Sequence, residues 1–319
     1  MTSQSTTETI LVADIGGTHA RFALAAVSEG GVTLRDARHF ACANASGVAA
    51  LLTGYLTGLN ADRPRRACLA SAGPGDHQQR HLTNLDWDLN ADELAAAAKL
   101  DQVLLVNDFE ALARGAITPG CRKHTLAAGT AVLDAPVAVI GPGTGLGAAY
   151  VVPSQQRPHC IATEAAHMAF RPSDGVERSL LEALTATHGY VFNELVLSGP
   201  GLERLHALLH GLSTSTSAAE ISAGALKGDE DCMASVRRFL AMLGSVAGDL
   251  ALAQGARGGV LLGGGILPRW AELLPDSAFL QRFYDKGVMS DYMRAIPVSL
   301  ITDTGIAERG AALLLLERG

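Results

Sequence analysis

Asn107 and Asp108 break an otherwise continuous apolar run, Val103 to Val106, just where a helix-leaning segment begins. A buried strand that ends on an amide and a carboxylate holds both rigidly at its tip. There the carboxylate can accept a proton and the amide can orient the group that gives it up. Three glycine clusters also follow apolar runs: Gly16, Gly17 and Thr18; Gly143, Thr144 and Gly145; Gly263, Gly264 and Gly265. Backbone amides uncovered by side chains can reach a polyanion, and a neighbouring Thr adds a hydroxyl donor, so these turns suit phosphate. Any one of them alone reads better as an ordinary hairpin turn. Asp14 shifts the balance, because a carboxylate directly before the first turn would repel a bare polyphosphate but suits one carrying Mg²⁺. Asp14 with the glycine turns therefore implies a metal-nucleotide.

Other phosphate chemistries fit less well. No G-x-x-x-x-G-K-[ST] occurs, which removes the Walker loop. Gly143, Gly145 and Ala148 satisfy G-x-G-x-x-A and Glu164 follows downstream. The residues after that loop, LGAAYVVP, are strand-like, however, where a dinucleotide fingerprint must open a helix. Arg21 could touch phosphate or pair with a carboxylate at the strand ends, and the pairing role is favoured. Asp108 could simply cap the helix after it, where Asp is worth about 1 kcal/mol; from this stretch alone, capping and proton transfer weigh equally.

The elements that must position these groups can be read from pattern. The chain has 319 residues, 35 of them Gly, and a net charge of −7. That length suits two lobes, and the absence of any basic stripe argues against nucleic acid. The amino terminus lacks a signal sequence and no apolar run is long enough to span a bilayer, so a cytoplasmic protein without a membrane partner is expected. Five scattered cysteines with no C-x-x-C spacing argue against disulfides or structural zinc and read as small buried hydrophobes. ILVADIGGTHARFALA and PVAVIGPGTGLGAAYVVP share a layout of strand, glycine turn, strand, which predicts a duplicated α/β unit. Helices are predicted over 47–59, 175–188, 201–211 and 230–254, with another opened by an Asn90 cap. Strands are predicted at ACLASAG, LVLSG, GGVLL and PVSLI, and a surface loop at 213–219. The final apolar helix should return to the first lobe, with Gly305 as its hinge.

Six stretches in order, ADIGGTHAR (13–21), VNDFEA (106–111), GPGTGLG (141–147), TEAAH (163–167), NELVLSGPG (193–201) and GGVLLGGGILPR (258–269), resemble the bacterial glucokinase family. That family belongs to the superfamily of sugar kinases, actin and heat-shock-chaperone ATPases. The resemblance implies a two-lobed, ribonuclease-H-like α/β fold, with duplicated mixed-sheet units around a central cleft. The expected lobes are 1–108 with 303–319, and 109–302. It further implies ATP-dependent phosphorylation of glucose at the 6-hydroxyl, with Asp108 as base. Asn107, Glu164, His167 and Glu194 match the sugar-contacting positions. Ala13, Asp14, Ile15, Gly16, Gly17 and Thr18 form the first phosphate element, Gly143 to Gly145 the second, and Gly263 to Gly265 the adenosine element. The same resemblance implies Mg²⁺ held at Asp14 through water, and a homodimer.

These residue types suit a hexose, whose hydroxyls each donate and accept and can be clamped by carboxylates, an amide and an imidazole. The i, i+3 spacing of Glu164 and His167 would put both on one face of a helical turn. Two departures stand out: Ala165 and Ala166 occupy positions where the family commonly has glycine, and His19 replaces an Asn. The alternatives these leave open are a kinase of another hexose or an amino sugar, and a sugar-sensing binding protein without turnover.

Overall fold

Strands β1 (Glu8–Ile15), β2 (His19–Ser28) and β3 (Gly31–Ala41) form an antiparallel meander. The computed structural model describes residues 8–28, 31–59, 63–82, 85–214 and 216–318. The chain then runs through α1 (Val48–Thr57), β4 (Arg66–Ser71), the hairpin β5 (Gln79–Leu82) and β6 (Trp87–Asn90), α2 (Ala91–Ala98), β7 (Gln102–Asn107) and α3 (Asp108–Ala116). β4 lies parallel between β1 and β7, giving the order β3-β2-β1-β4-β7. The alternation of buried side chains along β1 feeds two cores. Leu11, Ala13 and Ile15 join α1 and α2 on one face, while Ile10 and Val12 join the other. As expected, Asn90 caps α2, its side chain accepting from the Asp92 and Glu93 amides.

The second unit repeats this plan. It contains β8 (Lys123–Ala127), β9 (Val137–Pro142), β10 (Leu146–Val152), β11 (His159–Thr163), α4 (Gly175–His188), α5 (Asn193–Val196), α6 (Gly199–His210) and α7 (Ala218–Leu226). There follow α8 (Glu230–Gln254), β12 (Gly259–Leu262), α9 (Phe279–Tyr284), α10 (Ser290–Arg294) and β13 (Val298–Ile301). The sheet order is β11-β10-β9-β12-β13-β8, again an antiparallel meander joined to parallel strands, with β8 added antiparallel at the far edge. The duplicated hairpin seen in the sequence is thus a duplicated sheet. Val236, Phe239, Leu240 and Leu243 on α8 anchor this unit's core with Trp270 and Phe279.

The chain closes with α11 (Ile306–Arg318), and the compact units are Met1–Cys121 with Asp303–Gly319, and Arg122–Thr302. The boundary therefore falls after Cys121 and not at 108. The physical reason is that α3 packs against α11. Gly115 lies against the Ile306 carbonyl and Gly310 against the Ala111 carbonyl, so closely that a methyl group at either glycine would collide with backbone. The return of the last helix to the first unit is as the sequence predicts, and Gly305 turns the chain into it at φ +71°.

Two expectations fail locally. Residues 193–196 form a helical turn and not the strand read at LVLSG, because Ser198 caps α6 and Pro200 sits in its first turn. The loop predicted at 213–219 overlaps α7, which Ser217 opens with a reciprocal capping box to Glu220; Ser215 lies outside the described residues. Of the five cysteines, Cys42, Cys68 and Cys160 are buried and Cys121 and Cys232 partly so, all as free thiols. Among the described residues, no helix is long and apolar enough to cross a membrane.

Candidate active site

In the first unit the chemistry gathers at the carboxyl ends of three parallel strands. Ile15, Ser71 and Asn107 share one register line across β1, β4 and β7, so Asp14 and Asp108 come to the same edge of the sheet, two strands apart. Asn107 caps α3, its Oδ1 accepting from the Phe109 amide at 2.8 Å and the Glu110 amide at 3.3 Å. The cap thus falls to Asn107, while Asp108 is the first helical residue, half-buried, with its Oδ1 also 2.9 Å from the Phe109 amide. The helix amino terminus favours an ionised carboxylate at that place.

Asp14 is only partly shielded from water, yet protein crowds it closely enough that desolvation is the largest influence on it. Burial first, then the Glu308 and Asp108 charges, push its pKa up to about 7, against a smaller lowering by Arg21. Its carboxylate makes no hydrogen bond or ion pair among the described residues, which leaves hard oxygen donors uncommitted. Among the described residues there is no cluster of three or more metal-ligating side chains. A cation here would be held by Asp14 together with the oxygens of a bound phosphate, the usual arrangement for Mg²⁺. Gly16 closes the turn through its amide to the His19 carbonyl at 3.0 Å, and Thr18 is exposed. Ala13 and Ile15 are fully buried core residues; only their backbone can take part in a site.

Sequence reasoning missed Glu308. It is 1% exposed in the first turn of α11, and its Oε1 accepts from Arg21 Nη1 at 3.2 Å. Arg21 thus takes the carboxylate-pairing role. The signal was present: a lone acid among Ile306, Ala307, Ala311 and Ala312 in a helix too apolar to stand exposed.

In the second unit, two glycine turns are pressed together. The Gly263 amide donates to the Ile140 carbonyl at 2.9 Å, and Gly141 abuts Gly263 and Gly264 too closely for a side chain. Gly264 sits at φ +82° against the Pro142 carbonyl, a place open to glycine alone. Gly143 and Gly265 face open space. The amino terminus of α6 joins them, its Gly199 amide donating to the Gly143 carbonyl at 2.8 Å. Beside these turns lies a cavity of about 210 Å³ lined by Gly143, Thr144, Pro200, Glu203, Ile266 and Arg269, among others. The α6 contribution was not assigned from sequence, although Ser198-Gly-Pro-Gly is a helix-start signal.

Glu164, His167 and Glu194 come together through a second set of contacts. Residues 165–167 form a 3₁₀ turn with His167 Nδ1 3.5 Å from Glu164 Oε2, both side chains exposed. His167 stacks on Phe192 with ring centroids 4.8 Å apart, and the Asn193 amide donates to the Met168 carbonyl at 3.0 Å. Glu194 follows, half-buried, with its Oε2 accepting from the Leu146 amide at 2.8 Å. Gly145 leaves room for that carboxylate, since a methyl group there would strike Oε2. Ala165 and Ala166 are buried, and neither has positive φ. The alanines therefore fit this turn without strain.

Comparison with known proteins agrees with this architecture. A sequence model described as Glucokinase matches residues 11–318. The chain is 40% identical over 318 residues to a glucokinase of Caulobacter vibrioides, covering 97% of this chain and 96% of that protein. A solved glucokinase from an Antarctic psychrotroph superposes with a TM-score of 0.81 at 38% identity, covering 97% of this chain and 99% of the other. A ROK family glucokinase from Streptomyces griseus, solved with glucose and AMPPNP, shares the fold at 21% identity and a TM-score of 0.71, covering 96% and 98%. A likeness that runs from the first strand to the last helix, in sequence as well as in fold, leaves one conclusion: the chain belongs to the glucokinase family.

Proposed function

We propose that this enzyme transfers the terminal phosphoryl group of Mg-ATP to the 6-hydroxyl of glucose, giving glucose 6-phosphate and ADP, with Asp108 as general base. The observation that carries the reading is the shared strand edge: Asp14 and Asp108 stand close enough for their charges to act on one another. One carboxylate suited to a cation and one suited to a hydroxyl proton are what phosphoryl transfer to an alcohol requires. Bound Mg²⁺ would neutralise charge on the phosphates, held from the protein side by Asp14.

The remaining roles follow from chemistry. Gly16 to Thr18 and Gly143 to Gly145 offer backbone amides, and Thr18 and Thr144 offer hydroxyls, to phosphate oxygens. The cavity lined by Thr144 and by Ile266, the residue after Gly263 to Gly265, suits the nucleoside. Asn107, Glu164, His167 and Glu194 bind the sugar hydroxyls. The alanine-bearing turn still brings Glu164 and His167 together, and glucose is favoured over another hexose because relatives 38–40% identical over nearly the whole chain are glucokinases. The relative from Streptomyces griseus, which binds glucose and AMPPNP, agrees with this pairing of ligands.

The test is turnover with a panel of hexoses and Mg-ATP, following ADP. Glucose should be the best substrate, and D108N should lose turnover while still binding glucose by calorimetry. Wild-type rates in D108N would remove the base assignment; glucose binding with no phosphorylated sugar would make the protein a sensor.

A further inference from the structure

Asp14 faces Arg21 directly across the β1–β2 pair. Residues opposed in this way share a face of the sheet, with Cβ atoms roughly 4.5–5.5 Å apart. Nothing would be easier than an ion pair between them, yet Arg21 Nη1 bonds Glu308, and Asp14 has no hydrogen bond or ion pair among the described residues. The contest is decided by water. The Glu308 side chain is 2% exposed, so without a cation it would be a dry, unpaired charge, the costliest state a carboxylate can occupy. Asp14 keeps some access to solvent and can do without one. Among the described residues the guanidinium bonds a side chain through Nη1, and its Nε is buried with no partner.

We propose that Glu308 is a positioning residue: by engaging Arg21 it prevents that cation from neutralising Asp14, and so keeps the Asp14 carboxylate open to the metal-nucleotide. The proposal rests on the reading of Asp14 given above. Arg21 and Glu308 belong to the same compact unit as Asp14, and α11 delivers Glu308 to the strand ends by packing against β1 and β2.

The test is equilibrium binding of ADP by calorimetry, with Mg²⁺ and with EDTA, on wild type, E308Q, R21Q/E308Q and D14N, alongside KM values for Mg-ATP and glucose. In E308Q the freed Arg21 turns to Asp14, so Mg-ADP affinity should fall about tenfold, the size of one charge-assisted interaction. ADP in EDTA should not weaken, and the KM for glucose should stay as in wild type. Removing both charges should restore most of the Mg-ADP affinity, a recovery that a merely structural role for Glu308 would not give. If E308Q proves too unstable to assay, E308M, which also lacks the carboxylate, must show the same selective loss. Wild-type Mg-ADP affinity in E308Q or E308M, or a double variant as weak as E308Q, would overturn the role of Glu308. Wild-type Mg-ADP affinity in D14N would instead overturn the reading of Asp14 on which it rests.

Discussion

Burial weighs most on the Asp14 carboxyl, with the charges of Glu308 and then Asp108 adding to it. Its pKa of about 7 in the folded chain lies above the ordinary 3.8, so proton binding favours the folded state. That contribution is complete below about pH 4 and is lost as pH rises through 7. D14N mimics the protonated acid. It should therefore stabilise the ligand-free chain at pH 8 by on the order of 1–3 kcal/mol, allowing for the remaining solvent access. The gain should shrink toward pH 4 in urea titrations; a gain that grows on acidification would refute the sign. On the proposed reading a metal bound at Asp14 must displace the same proton, so apparent Mg-ADP affinity should decline below pH 7. The base role proposed for Asp108 predicts a loss in kcat: removing a positioned base costs about 10² to 10⁴ in rate, and D108N should show it with little change in glucose binding.

At the scale of elements, the sequence was legible wherever local pattern and tertiary structure agreed. β1 and β2, β9 and β10, α2 with its Asn90 cap and α8 all announce themselves through apolar runs, glycine turns and caps. Three features did not. α7 was hidden because Ser and Thr around 213–217 look like a loop, although Ser217 and Glu220 spell a capping box. The strand expected before Ser198 gave way to a helical turn because Gly-Pro-Gly starts α6 just after it. The unit boundary was misplaced because α3 belongs to its unit through contacts with α11, nearly two hundred residues away. Of the candidate site, Asp108, Asp14 and the glycine turns were visible from residue type and position, whereas Glu308 and the α6 edge of the cavity beside Thr144 depend on long-range packing. The α3–α11 contact also yields a prediction. G310A places a methyl group against the Ala111 carbonyl and the Gly115 amide and should destabilise the chain by about 1–3 kcal/mol or more, read as a lower urea midpoint.

At the scale of the whole molecule, each unit carries its own core, and ligands that bind only the folded state should stabilise it by mass action. Glucose at about 100 times its Kd should add about 2.7 kcal/mol. In a melting panel across hexoses it should give the largest rise, and an equal rise with all of them would argue against a built sugar site. The first sheet also depends on α11, which lies against β1, β2, β3 and β4 and is tied at its far end by Arg318 to Glu110 at 2.5 Å. During synthesis on a ribosome, the segment that seals the amino-terminal sheet is translated only after all of residues 122–302. The second unit can thus mature while the first still lacks its seal, exposing Ile10, Val12 and Ala23 to chaperones and proteases until translation reaches the final turns.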